Sequence, residues 1–70
     1  MKEVIITSLD AQAQHATTLS VGDTLAHFKA SDGRSVLESE DGETFTGWLR
    51  EGNFNTTVGI RECQFEVEAN

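Results

Sequence analysis

The chain predicts a small all-β domain, an antiparallel barrel or sandwich built on a three-stranded meander. Two observations carry this reading. Between Gly22 and Leu49, the dipeptides Asp32-Gly33 and Asp41-Gly42 separate strand-length runs, and Asp-Gly between such runs marks tight hairpins. Turn residues then recur about every ten positions along the chain, and the segments between them alternate apolar and polar with the two-residue period of a strand. The alternative is an α+β fold with a short helix over residues 10–18.

Taken in order, Lys2 to Ser8 contains Val4, Ile5 and Ile6, β-branched residues that suit a pleated surface. Val4 and Ile6 share one face and Ile5 takes the other. Asp10 is placed to cap a short helix through Ala11-Gln12-Ala13-Gln14; its apolar residues are only alanines, so it buries little, and a loop or irregular edge strand competes with it. Thr17 to Val21 alternates Leu19 and Val21 against Thr18 and Ser20, which predicts a short strand, and Gly22-Asp23 turns the chain. In the next strand Ala26, Phe28 and Ala30 oppose Leu25, His27 and Lys29. Val36 and Glu38 oppose Leu37. Phe45, Gly47 and Leu49 oppose Thr44, Thr46, Trp48 and Arg50. Gly47 inside a strand predicts a bulge or a close approach of backbone. Glu51-Gly52-Asn53 is a turn. Phe54, Thr56, Val58 and Ile60 align on one face; the apolar parity then flips to Cys63, Phe65 and Val67, which requires a turn or bulge between Gly59 and Glu62. The last strand is expected to pair with the first, because closing a small sheet removes its edges.

Seventy residues make a single small β domain over 1–70. A chain of this length buries only about 60% of its unfolded surface, so its core is thin. One cysteine, Cys63, excludes an internal disulfide, which leaves a partner chain as the natural extra source of buried area. Twelve acidic against five basic residues give a net charge of −7. That balance argues against direct nucleic-acid binding, which depends on Lys and Arg at phosphates, and against an anionic membrane surface. It favours solubility or a basic partner. No apolar run approaches transmembrane length, no secretory signal is visible, and the lone thiol points to a reducing cytoplasm.

Trp48, the only tryptophan, shares its strand with inward-facing Phe45 and Leu49 and so points the other way. An outer-face aromatic is a typical interface anchor; the bland reading is a lid over the open end of its own barrel. We expect the interaction surface to comprise Trp48, His27, Arg50 and Phe54. The acids fall into two groups: Glu38, Glu40, Asp41 and Glu43 at the second hairpin, and Glu62, Glu66 and Glu68 along the last strand. Alternate carboxylates on a strand stand about 7 Å apart, near the spacing of every second phosphate along one DNA strand. This row is either a solvated face or a mimic of nucleic acid.

No catalytic, cofactor-binding or metal site is expected. His15, His27 and Cys63 lack the close pairing of a zinc site, the acidic turns lack the ligand spacing of a calcium loop, and no activated nucleophile or glycine-rich phosphate loop is evident.

The order of elements (first strand, long excursion, three-strand meander, short turn, last strand) resembles that of SH3-like barrels, a likeness of order and length alone that implies nothing about function. The leading expectation is therefore a non-enzymatic protein-interaction module, partnered by itself as a homodimer or by another, basic protein. The first alternative is an acidic inhibitor that mimics nucleic acid. A small-ligand binder or enzyme ranks below both, because so small a core leaves little room for a pocket of roughly 300 Å³.

Overall fold

The computed structural model describes residues 2–70. Six antiparallel strands close into a barrel in sequence order: β1 (Lys2–Leu9), β2 (Thr24–Lys29), β3 (Ser35–Glu38), β4 (Thr44–Arg50), β5 (Asn53–Val58) and β6 (Arg61–Ala69), with β6 returning to pair with β1. One short helix, α1 (Ala11–Ala16), follows β1. Strand accounts for 58% of the chain and helix for 9%, which settles the class as all-β.

The two Asp-Gly turns share one geometry. Ala30 N–H donates to the Arg34 carbonyl (2.8 Å) and Gly33 N–H to the Ala30 carbonyl (3.0 Å); Ser39, Glu43 and Gly42 repeat the pattern at 2.8 and 3.1 Å. The glycines have φ near +90°, the left-handed residue that closes a three-residue hairpin loop. These turns set the register: Phe28 faces Val36, and Val36 faces Thr46. The β4–β5 connection is a two-residue loop with positive φ at both Glu51 and Gly52, matching the right-handed twist of the flanking strands. The parity flip after Val58 is a Gly59-Ile60 turn, with Val58 facing Arg61.

Inside, Val4 and Ile6 of β1, Leu25, Leu37, Phe45, Phe54 and the Cys63–Phe65–Val67 run of β6 form one core. Phe65 sits between two rings, edge-on to Phe45 and tilted against Phe54, both at 5.6 Å between centroids. α1 closes one end. Asp10 caps it by accepting from Ala13 N–H at 2.8 Å, Ala13 is wholly buried, and Arg61 of β6 donates to the Gln12 side chain at 2.7 Å. The helix works as a stopper because alanine is small enough to enter the barrel end.

Two expectations are corrected, and one open alternative is decided. Residues 17–21 form no strand: β1 is already flanked by β2 and β6, so no edge remains for them. Leu19 still turns into the core, while Val21 is exposed in the turn that ends at Asp23. Ile60 does not continue the Phe54–Val58 row; it occupies the turn and is 98% exposed. Gly47 marks the close approach rather than the bulge. The ladder shift lies instead in the β1–β6 pairing, between Ile6 and Ser8.

Candidate docking face

Alternation sorts each meander side chain to one wall. Leu25, Leu37 and Phe45 point inward; Ala26 and Phe28 of β2, Val36 and Glu38 of β3, and Thr44, Thr46, Trp48 and Arg50 of β4 point outward. The paired positions Phe28–Val36–Thr46 cross this outer face as one row, and Trp48 lies two residues beyond Thr46. Trp48 is 60% exposed and Phe28 40%; half-buried Val36 joins them. The other exposed large apolar side chains among the described residues, Val21 and Ile60, lie in turns. The reading of Trp48 as a lid fails on direction: it stands on the outer wall of a barrel whose interior Phe45, Phe54 and Phe65 already fill.

The four residues expected to form one interaction surface are divided. Trp48 and Arg50 share the outer face. Phe54 is a correction: it is 0% exposed, packed on Phe65 and paired with inward-facing Leu49, and so belongs to the core. His27 alternates with Phe28 and therefore faces the barrel's inner side at the mouth opposite α1. Its Nε2 lies 2.9 Å from Ser35 Oγ. Burial, then the Lys29 and Lys2 ammonium groups, hold the imidazole below its ordinary pKa. The His27–Ser35 pair resembles a base beside a nucleophile, yet Ser35 is 2% exposed and no carboxylate bonds the imidazole, so the orienting group of a nucleophilic triad is missing. At this mouth an open cleft of about 690 Å³ is lined by Lys2, Val4, His27, Leu49 and Val67; the cleft is larger than the core size alone predicts.

The acidic groups are separate. Glu38, Glu40, Asp41 and Glu43 surround the β3–β4 hairpin, where Glu43 accepts from the Thr18 hydroxyl at 3.0 Å and Asp41 from the Ser39 hydroxyl at 3.2 Å. Glu62, Glu66 and Glu68 are exposed on the outer side of β6, two strands from β4 and three from β3 in the ring of six. Charge also divides along the barrel axis. Lys2, Lys29, Arg34 and Arg50, four of the five basic residues, stand at the open mouth where β1 starts, β2 and β4 end and β3 begins. The β3–β4 hairpin, with its four acids, projects at the helix-capped end.

Sequence reasoning missed Phe28, Val36 and Arg34 as companions of Trp48. The signal was present: a three-residue loop at Asp32-Gly33 fixes Phe28 against Val36, and extending the Ser35–Gly47 pair by one step brings Arg34 level with Trp48. Among the described residues no group of three or more His, Cys, Asp or Glu could hold a metal ion, and no helix is long and apolar enough to cross a membrane. No family model matches the chain, and no curated protein or solved structure matches it significantly.

Proposed function

We propose that this chain is a non-enzymatic protein-interaction module that docks through the outer face of β2, β3 and β4 around Trp48, with a second copy of itself as the partner. One observation carries the reading: an exposed tryptophan shares a sheet face with exposed Phe28 and half-buried Val36, while the barrel interior is already full. Exposed aromatics on a sheet face are where binding energy concentrates. A two-fold dimer would add buried apolar area to a domain whose own core is thin. The free, buried Cys63 fits a reducing, cytoplasmic setting, and the net charge of −7 speaks against nucleic acid or an anionic membrane as the direct partner.

Sedimentation equilibrium tests this. The protein should show a concentration-dependent monomer–dimer equilibrium in the micromolar range, weakened severalfold by Trp48→Ala. A strict monomer at high micromolar concentration, in both low and moderate salt, refutes it.

The exposed row Glu62, Glu66 and Glu68 on the far wall supports a second reading, an acidic mimic held by a basic protein. Such a complex would lose affinity steeply with salt and would be insensitive to Trp48→Ala.

A further inference from the structure

The outer face has a charge order that inverts across its centre. Along β3 the outward residues are Arg34 at the hairpin, Val36, then Glu38, so a cation and an anion stand at equal distances on either side of Val36. Along β4 the order is Thr44, Thr46, Trp48, Arg50, with the Asp41–Glu43 turn before it. We infer that two copies pack these faces together about a two-fold axis running across the strands along the Phe28–Val36–Thr46 row, so that the strands of the two copies are antiparallel. This rests on the docking face proposed above and specifies its arrangement.

The argument is geometric. A two-fold axis across the strands lays each position over the one equally far on the other side of the row. Val36 then meets Val36 of the second copy, and Arg34 meets Glu38 in two symmetric pairs. Trp48 covers Thr44, and Arg50 falls over the Asp41–Glu43 hairpin. A two-fold axis along the strands would instead stack Arg34 on Arg34 and Glu38 on Glu38, leaving like charges opposed twice. Self-complementarity of this kind is what an isologous interface needs. Arg34 remains able to pair: its Nε donates to Asp32 at 2.7 Å in an exposed bridge, which uses one of the five N–H donors of the guanidinium. Three strands about 4.8 Å apart and about 20 Å long give a face of roughly 300 Å². Two such faces bury about 600 Å² in all, below the about 1,000 Å² that a stable interface clears, so the dimer is weak and transient and depends on its charge pairs.

Charge reversal tests the arrangement. Arg34→Glu and Glu38→Arg, each confirmed folded by circular dichroism, should each weaken self-association about tenfold, because each opposes like charges in two symmetric pairs. Mixed together, the two variants restore both pairs, and their heterodimer should form about as tightly as the wild-type dimer. Independently, Val36→Cys lies on the axis and should oxidise to a disulfide-linked dimer, whereas Thr44→Cys should crosslink only when mixed with Trp48→Cys. If Trp48→Ala weakens the dimer but the charge variants and Val36→Cys behave otherwise, the face stands and this arrangement is overturned. If the wild type is monomeric throughout, both fall and the face belongs to a different partner.

Discussion

Gly47→Ala adds one methyl group, and the structure makes it costly. Gly47 lies on the inner side of β4 opposite Thr56. A Cβ there would press into the Asn55 carbonyl oxygen, with the carbonyl carbon at 2.9 Å and Thr56 Cα at 3.1 Å. All three are backbone atoms of β5, a strand held on both sides by β4 and β6, so no side chain can rotate away. Relief requires parting β4 from β5. Overpacking of this kind costs about 1–3 kcal/mol, and loosening one or two ladder hydrogen bonds adds about 1 kcal/mol each. The opposing gain from replacing a strand glycine is about 0.5–1 kcal/mol. A net loss of roughly 2–4 kcal/mol is a large part of the about 3.5–10 kcal/mol expected for a domain of this length. Thermal melting by circular dichroism should show a fall of at least about 10 °C. Gly59→Ala is the control: nothing lies within 4 Å of its Cβ, and only its φ of +64° opposes the change, so the loss should be smaller. A Gly47→Ala protein that melts at or above the wild-type temperature would refute the close approach and with it the β4–β5 register.

Phe65→Ala removes the ring that joins Phe45 and Phe54 and should cost about 3–5 kcal/mol, leaving a largely unfolded protein in urea titrations; Phe28→Ala, on the outer wall, should stay within about 1 kcal/mol. His27 is held below its ordinary pKa, so the unfolded chain binds more protons than the folded one just below pH 6.5 and stability should fall as pH drops from there toward the lowered folded value; an urea midpoint that rises over that interval, or one whose slope is the same in His27→Gln, would contradict this. Burial, and secondarily Asp10, push the Cys63 thiol up, so a thiol reagent should label it slowly in the native state and rapidly in denaturant.

Local chemistry makes much of this molecule legible in its sequence. Asp32-Gly33 and Asp41-Gly42 mark the meander and the parity change after Val58 locates the last turn, whereas Asp10 offers a helix cap that a loop or an irregular edge strand rivals. What stayed hidden depended on the rest of the barrel. Thr17–Val21 alternates like a strand, but only closure of β1 with β6 shows that no edge is left for it. Both sides of β2 are apolar, so local pattern could not say that Leu25 enters the core and Phe28 stays out; that choice follows from the register with Leu37 and from an interior already occupied by three phenylalanines. Phe54 reads as a surface residue because nothing local shows that it pairs with inward-facing Leu49; that pairing comes from the two-residue β4–β5 turn.

The closing pair of strands also governs how the chain reaches this state. Every hairpin from β2 to β6 joins neighbours across a few residues, whereas β1 and β6 bring Val4 to Ala69. Closing a loop of about 65 residues costs about 4 kcal/mol in chain entropy before any ladder bond repays it, so the β1–β6 seam is expected to zip last and to limit the folding rate. Asn70 N–H donates to the Glu3 carbonyl at 3.0 Å, which puts Glu3 and Asn70 within reach of a short linker. A circular permutant joined there and opened between Asp41 and Gly42 would turn the slow seam into a local hairpin, and would transfer the long-range step to β3 and β4.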